Sequence, residues 1–276
     1  MATDGADGCI LALNSKVSGA VTAQGNSNIS LQGCSLYDNS SSNTALKVGG
    51  SARISALSVN VVGEISGVEK ITTTHVTSTG QPPMKDPYAT TEIPSFTGCN
   101  ENNFTAKFTI TIKPGVYCGG MKINAGANVT LQRGIYYIDQ GSFTVNGGAT
   151  VTGQDVTLVF TSSTLTNWAS ATINGGATIN LTAPRDGDLK GIVVFGDRRM
   201  PVDTEFKFNG GSTQYFGGVV YLSKATAHFT GGAKSDTSCT KLIVDTVTFG
   251  GNSNFAMDCK EYATKSFGSP HVRLTM

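Results

Sequence analysis

The chain has 276 residues, a formal net charge of +1, 14% charged residues, 34 glycines and six cysteines. Such a balance offers neither a basic face for nucleic acid nor an acidic tail. No apolar run reaches the about 18 residues of a membrane span, and the opening MATDGADGCILAL lacks the basic and long apolar regions of a signal peptide.

In chain order, residues 8–66 form a first repeat block containing LKVGGSARISAL. Residues 67–98 are rich in Thr and Pro. Pro82, Pro83, Pro87 and Pro94 cannot sit in central strands, so this stretch reads as a crossing loop that interrupts the pattern. Residues 99–276 form a second block, with MKINAGANVTL, then VNGGATVTG at 145–153 and INGGATINL at 173–181. FKFNGGSTQYF, HFTGGAKS and VTFGGNSNF follow. Each unit sets a glycine pair, or in MKINAGANVTL the single Gly126, between two stretches that alternate apolar and polar. Alternation of period two means a strand with one face inward, and a glycine supplies the positive φ of a sharp turn. Gly148 to Gly176 is 28 positions, Gly211 to Gly232 is 21, and Gly232 to Gly251 is 19. No helical spacing competes. The expectation is therefore an all-β fold: a single parallel β-solenoid over residues 1–276, right-handed as parallel crossovers usually are. At roughly 25 residues per coil it holds roughly ten coils.

The cysteines fall into three couples, Cys9/Cys34, Cys99/Cys118 and Cys239/Cys259. Partners about one coil apart lie on neighbouring coils, so the solenoid picture selects these three disulfides from the possible pairings. Metal binding is the rival. It wants close CxxC spacing, which is absent, and the histidines are scattered at 75, 228 and 271. No metal and no cofactor is expected. Disulfides imply an oxidising compartment, so the expected location is periplasm or cell surface. The opening MA then reads as a start added to a truncated chain whose export signal or membrane anchor lies upstream.

Four stretches carry a family resemblance: CILALNSKVSGAVTAQGNSNISLQGCSLYDNSSSNTALKVGGSARISA, IKPGVYCGGMKINAGANVTLQRGIYYID, GIVVFGDRR, and the closing SCTKLIVDTVTFGGNSNF with its later Cys259 and VRLTM. Together they resemble the extracytoplasmic part of TadG-like proteins of the tight-adherence (Flp) pilus system, over nearly the whole chain. The resemblance implies an N-terminal membrane anchor before this region, a role in pilus assembly or surface adhesion, and a pilin or envelope protein as partner. It implies no catalytic residues.

Polysaccharide lyases and hydrolases also occur on β-helices. Such chemistry needs two or three carboxylates, or carboxylate plus Arg or Lys, on one face. The densest candidate is PRDGDLKGIVVFGDRRMPVDTEF, with Asp186, Asp188, Asp197, Arg198 and Arg199 on the loops entering and leaving a strand at 192–195. The bland alternative is a set of charged turn residues that solubilise an inserted loop. The sequence thus favours an exported structural or interaction domain over a carbohydrate-active enzyme or glycan-binding module with its site at 186–205.

Overall fold

A computed structural model describes residues 7–31, 33–209, 213–231, 234–238, 240–251, 254–257 and 262–268. The first block, which in the structure extends past residue 66 to Ser78, supplies β1 (Gly8–Ala12), β2 (Val21–Ala23), β3 (Asn28–Leu31), β4 (Ser35–Asp38), β5 (Leu46–Val48), β6 (Arg53–Ala56), β7 (Val59–Val61), β8 (Ile65–Ser66), β9 (Ile71–Thr73) and β10 (Thr77–Ser78). A 3-10 turn at Val68–Lys70 precedes β9. The second block supplies β11 (Glu101–Ala106), β12 (Ile110–Ile112), β13 (Gly115–Ile123), β14 (Asn128–Leu131), β15 (Gly134–Val145), β16 (Thr150–Gly153), β17 (Val156–Thr161), β18 (Ser170–Ile173), β19 (Thr178–Thr182) and β20 (Ile192–Gly196). It ends with β21 (Thr204–Phe208), β22 (Thr213–Phe229), β23 (Lys234–Ser238), β24 (Thr240–Phe249) and β25 (Asn254–Met257).

The alternating pattern produces the core directly. Val129, Val151 and Ile179 pair in turn across β14, β16 and β19, and their column points inward. The glycine pairs form the turns between strands. At Gly50 φ is +61°, and a Cβ there would stand 2.9 Å from the carbonyl oxygen of Gly25, the equivalent turn of the preceding pass. Only glycine allows the turns to stack that closely.

All-β and parallel pairing are what form, but a simple β-solenoid or right-handed β-helix is not. The pairings β15–β17, β17–β20, β20–β22, β22–β21, β21–β18 and β18–β15 close into a six-stranded parallel barrel, with the remaining strands peripheral to it. The ring closes because β15 and β22 turn corners without breaking. Gln140 (φ +66°) and Gly141 (φ +69°) bend β15, so its first half pairs with β17 and its second with β18.

Chain order also differs from spatial order. β24 pairs with β1 and β2, and β25 pairs with β3, so the end of the second block abuts the beginning of the first. Periodicity in a sequence gives the spacing of partners along the chain; it does not say which distant pass lies beside which. Pairing also continues further into the Thr- and Pro-rich stretch than its composition suggests, through β9 and β10 to Ser78.

From Ser78 to Glu101 the chain must travel from β10 at one end of this array to β11 at the other. This strap lies on the outer side of the sheet. Beneath it, Leu11, Tyr37, Val116, Tyr137, Val159, Phe195, Tyr221 and Ile243 form a second apolar cluster separate from the interior core. Tyr136 and Tyr137 show the division: Tyr136 enters the core and Tyr137 packs under the strap.

Two disulfides are present among the described residues, Cys9–Cys34 and Cys99–Cys118, both with Cα–Cα separations of 5.7 Å. Cys239 and Cys259 lie outside the described residues.

Candidate functional site

Four of the five sequence-derived candidates, Asp188, Asp197, Arg198 and Arg199, stand around the strap. β20 is buried on both faces: Val193 and Val194 belong to the core, and Ile192 and Phe195 to the cluster beneath the strap. The turn after it carries Asp197, Arg198 and Arg199. Asp197 is 3% exposed and its carboxylate is saturated. Thr161 Oγ1 donates to Oδ2 at 2.7 Å. Arg199 donates from its backbone N (2.9 Å) and Nε (3.0 Å) to Oδ1, and from Nη2 to Oδ2 (2.6 Å). Burial alone would raise this carboxyl, but the hydrogen bonds from Arg199 and Thr161 outweigh it and hold the group below the ordinary carboxylate range. A carboxylate so held has no proton to give near neutral pH, which is what a general acid needs.

Arg198 points the other way, onto the strap. Its Nη1 donates to the carbonyl oxygens of Tyr88 (3.1 Å) and Thr91 (2.5 Å), and its Nη2 to Glu92 Oε1 (2.9 Å). Asp186 is elsewhere: both its carboxylate oxygens accept from the one Nη2 of Arg133, at 2.8 and 3.0 Å, in an exposed pair. Exposed pairs of that kind contribute little to stability. Asp188 lines a different cleft, of about 350 Å³, with Thr90, Thr91, Glu92, Ile93, Pro94 and Lys265. Asp197, Arg198 and Arg199 line one of about 310 Å³ with Glu92, Ile93 and Phe195. The structure therefore joins Asp197, Arg198 and Arg199 in one wall but does not bring Asp186 to them.

The strap has further anchors that sequence reasoning missed. Asn39 holds Met84 by both backbone groups, donating to its carbonyl (2.8 Å) and accepting from its N–H (2.7 Å). Tyr221 donates its hydroxyl to Asp86 (2.8 Å), and Tyr137 to the Pro94 carbonyl (3.1 Å). Phe96 stacks on Tyr137 with centroids 4.5 Å apart. Tyr88 is 1% exposed; its hydroxyl accepts from Lys265 N at 2.8 Å, and the Lys265 ammonium stands 4.7 Å from its ring. Burial raises the Tyr221 hydroxyl to about 12, so it remains a donor at any ordinary pH. One sequence signal does point here. IYYI, IVVF, VVYL and LIV are apolar at both parities, which means strands covered on both faces. Nothing local marks Glu92 or Asn39.

Among the described residues no group of three or more His, Cys, Asp or Glu is placed to hold a metal ion, and no helix is long and apolar enough to cross a membrane. His228 stands 3.7 Å from Glu205, which also pairs with Lys207 at 2.6 Å on the exposed side of β21.

No family model matches the chain, and no curated protein or solved structure matches it. The resemblance to TadG-like proteins gains no support from these comparisons.

Proposed function

We propose that this chain is a structural or interaction domain of an exported protein, working in the periplasm or at the cell surface rather than as an enzyme. The observation that carries this reading is the commitment of its densest charged segment to structural contacts. Asp197 is consumed by Thr161 and Arg199, and Arg198 is consumed by the strap. The Cys9–Cys34 and Cys99–Cys118 bonds support an oxidising compartment. Partners in this reading are other envelope proteins, met by the polar outer positions of the strands.

A second reading is favoured by the cleft of about 310 Å³, where Glu92 and Asp197 stand with two arginines. A carboxylate-bearing polysaccharide would meet both charge signs there, as substrate or as ligand. A panel of neutral and acidic polysaccharides separates the readings, scored for release of reducing or unsaturated ends and for retardation in affinity electrophoresis. The structural reading predicts neither effect. Turnover by the wild type that is lost in Glu92→Gln, with the melting temperature unchanged, would replace it with the enzymatic one.

A further inference from the structure

We infer that the first block, residues 8–78, is an exchangeable unit, and that the junction of β1, β2 and β3 with β24 and β25 is an interface that a second copy of this chain can complete. The inference rests on the pairing geometry, independently of the proposed role.

The junction is built like any other pair of neighbouring passes, yet its two sides are distant in sequence. Ile10, Leu11 and Ala12 pair with Leu242, Ile243 and Val244; Val21 pairs with Val247; Asn28 pairs with Asn254. Side chains reinforce it. Asn14 Nδ2 donates to Asp245 Oδ2 at 3.0 Å, and the buried Lys241 ammonium bonds Asp7 at 2.5 Å. Each edge is thus complementary to the other, whichever copy supplies it.

No described covalent bond other than the main chain ties the blocks together. Cys9–Cys34 closes within the first and Cys99–Cys118 within the second. The connection is the strap, with neither helix nor strand between Ser78 and Glu101. Its length is about 22 residues, and the array from β10 to β11 is ten pairing steps, about 48 Å at the usual strand spacing. A chain of that length reaches this far with slack, and equally reaches a neighbouring molecule.

Synthesis order adds the opportunity. The β1–β3 edge is made before β24 and has no partner until β24 emerges, so it is an open parallel edge while the intervening strands are synthesised. A β24 edge on a neighbouring chain fits it equally well, which is the condition for domain swapping.

The test is to shorten the strap. Removing residues 82–95 leaves about eight residues, which span at most about 32 Å and cannot return to their own second block. The expected result is a doubled mass by light scattering, with both described disulfides and a β-rich circular dichroism spectrum retained. Leu13 lies level with Asp245 in this register, so shortened chains carrying L13C and D245C, refolded together, should link to each other. A shortened chain that folds as a monomer, or a dimer that does not link in this way, overturns the inference. If the shortened chain aggregates, the wild type decides. After unfolding with disulfides intact, it should refold to a dimer fraction that grows with protein concentration and persists on dilution. Monomer alone at every concentration would overturn the inference.

Discussion

Arg198 donates to the carbonyl oxygen of Thr91 at 2.5 Å across a sequence separation of 107 residues. The same guanidinium holds Tyr88 and Glu92. An arginine that the sequence offers as a catalytic cation is thus the clamp that keeps a proline-rich strap on an aromatic row. Arg supplies a rigid fork of donors that fits several carbonyl oxygens at once, which Lys does not.

Asp197 is the partner of a different clamp. Asp197→Ala removes the acceptor for Thr161 and Arg199 and should cost about 2–4 kcal/mol, because a buried donor and an arginine lose their partner. Its folded carboxyl lies below the ordinary range, so the stability it contributes is present above the unfolded pKa and is lost as pH falls through the folded value. Denaturant melts of wild type and variant across the acid range should converge at low pH.

Asp38 has the opposite sign. It is 1% exposed at the end of β4, and burial raises its carboxyl to about 7, only partly offset by the backbone N–H groups of Ser40 and Val21. The folded pKa exceeds the unfolded 3.8, so the favourable state is fully present below 3.8 and is lost as pH rises through about 7. Stability should fall by at most about 4 kcal/mol across that window. Asp38→Asn should flatten the slope between pH 4 and pH 8, as read from melting temperatures (roughly the window of the shift).

The repeated glycines differ in what surrounds them. Gly50 and Gly126 both have positive φ, at +61° and +75°. A Cβ at Gly50 meets the Gly25 carbonyl oxygen at 2.9 Å, while nothing lies within 4 Å of one at Gly126. Gly126→Ala should cost about 1–2 kcal/mol from backbone conformation alone. Gly50→Ala should cost more, and thermal melts of the two variants measure the difference.

The cysteine spacing supplies a covalent prediction. Peptide mapping under non-reducing conditions should recover Cys9–Cys34 and Cys99–Cys118, and a Cys239–Cys259 peptide as the third couple. A free thiol among the six would contradict the argument for an oxidising compartment.

Much of the local structure is legible in the residues. VNGGATVTG and INGGATINL are strand, turn and strand as written, and Val151 pairs with Ile179 as their near identity suggests. Cys9 and Cys34 stand one pass apart for the same reason. What does not show is how passes are ordered in space. The β1–β24 contact joins segments with no common motif, and β15 closes the ring only because Gln140 and Gly141 take left-handed φ inside a strand. The strap is illegible for another reason. Residues 79–98 have no periodicity, and each anchor (Asn39, Tyr137, Arg198, Tyr221) sits in a distant pass. The doubly apolar runs IYYI and IVVF mark a covered surface without naming the cover.

Hydrogen exchange of residues 79–98 in the wild type and in Arg198→Ala tests the clamp most directly. The structure predicts that the strap amides lose protection in the variant, with a stability loss of about 2–3 kcal/mol from the charged hydrogen bonds, while β13, β15 and β17 keep theirs. Unchanged protection over the strap would contradict the clamp and return Arg198 to the pool of residues free to act on a ligand.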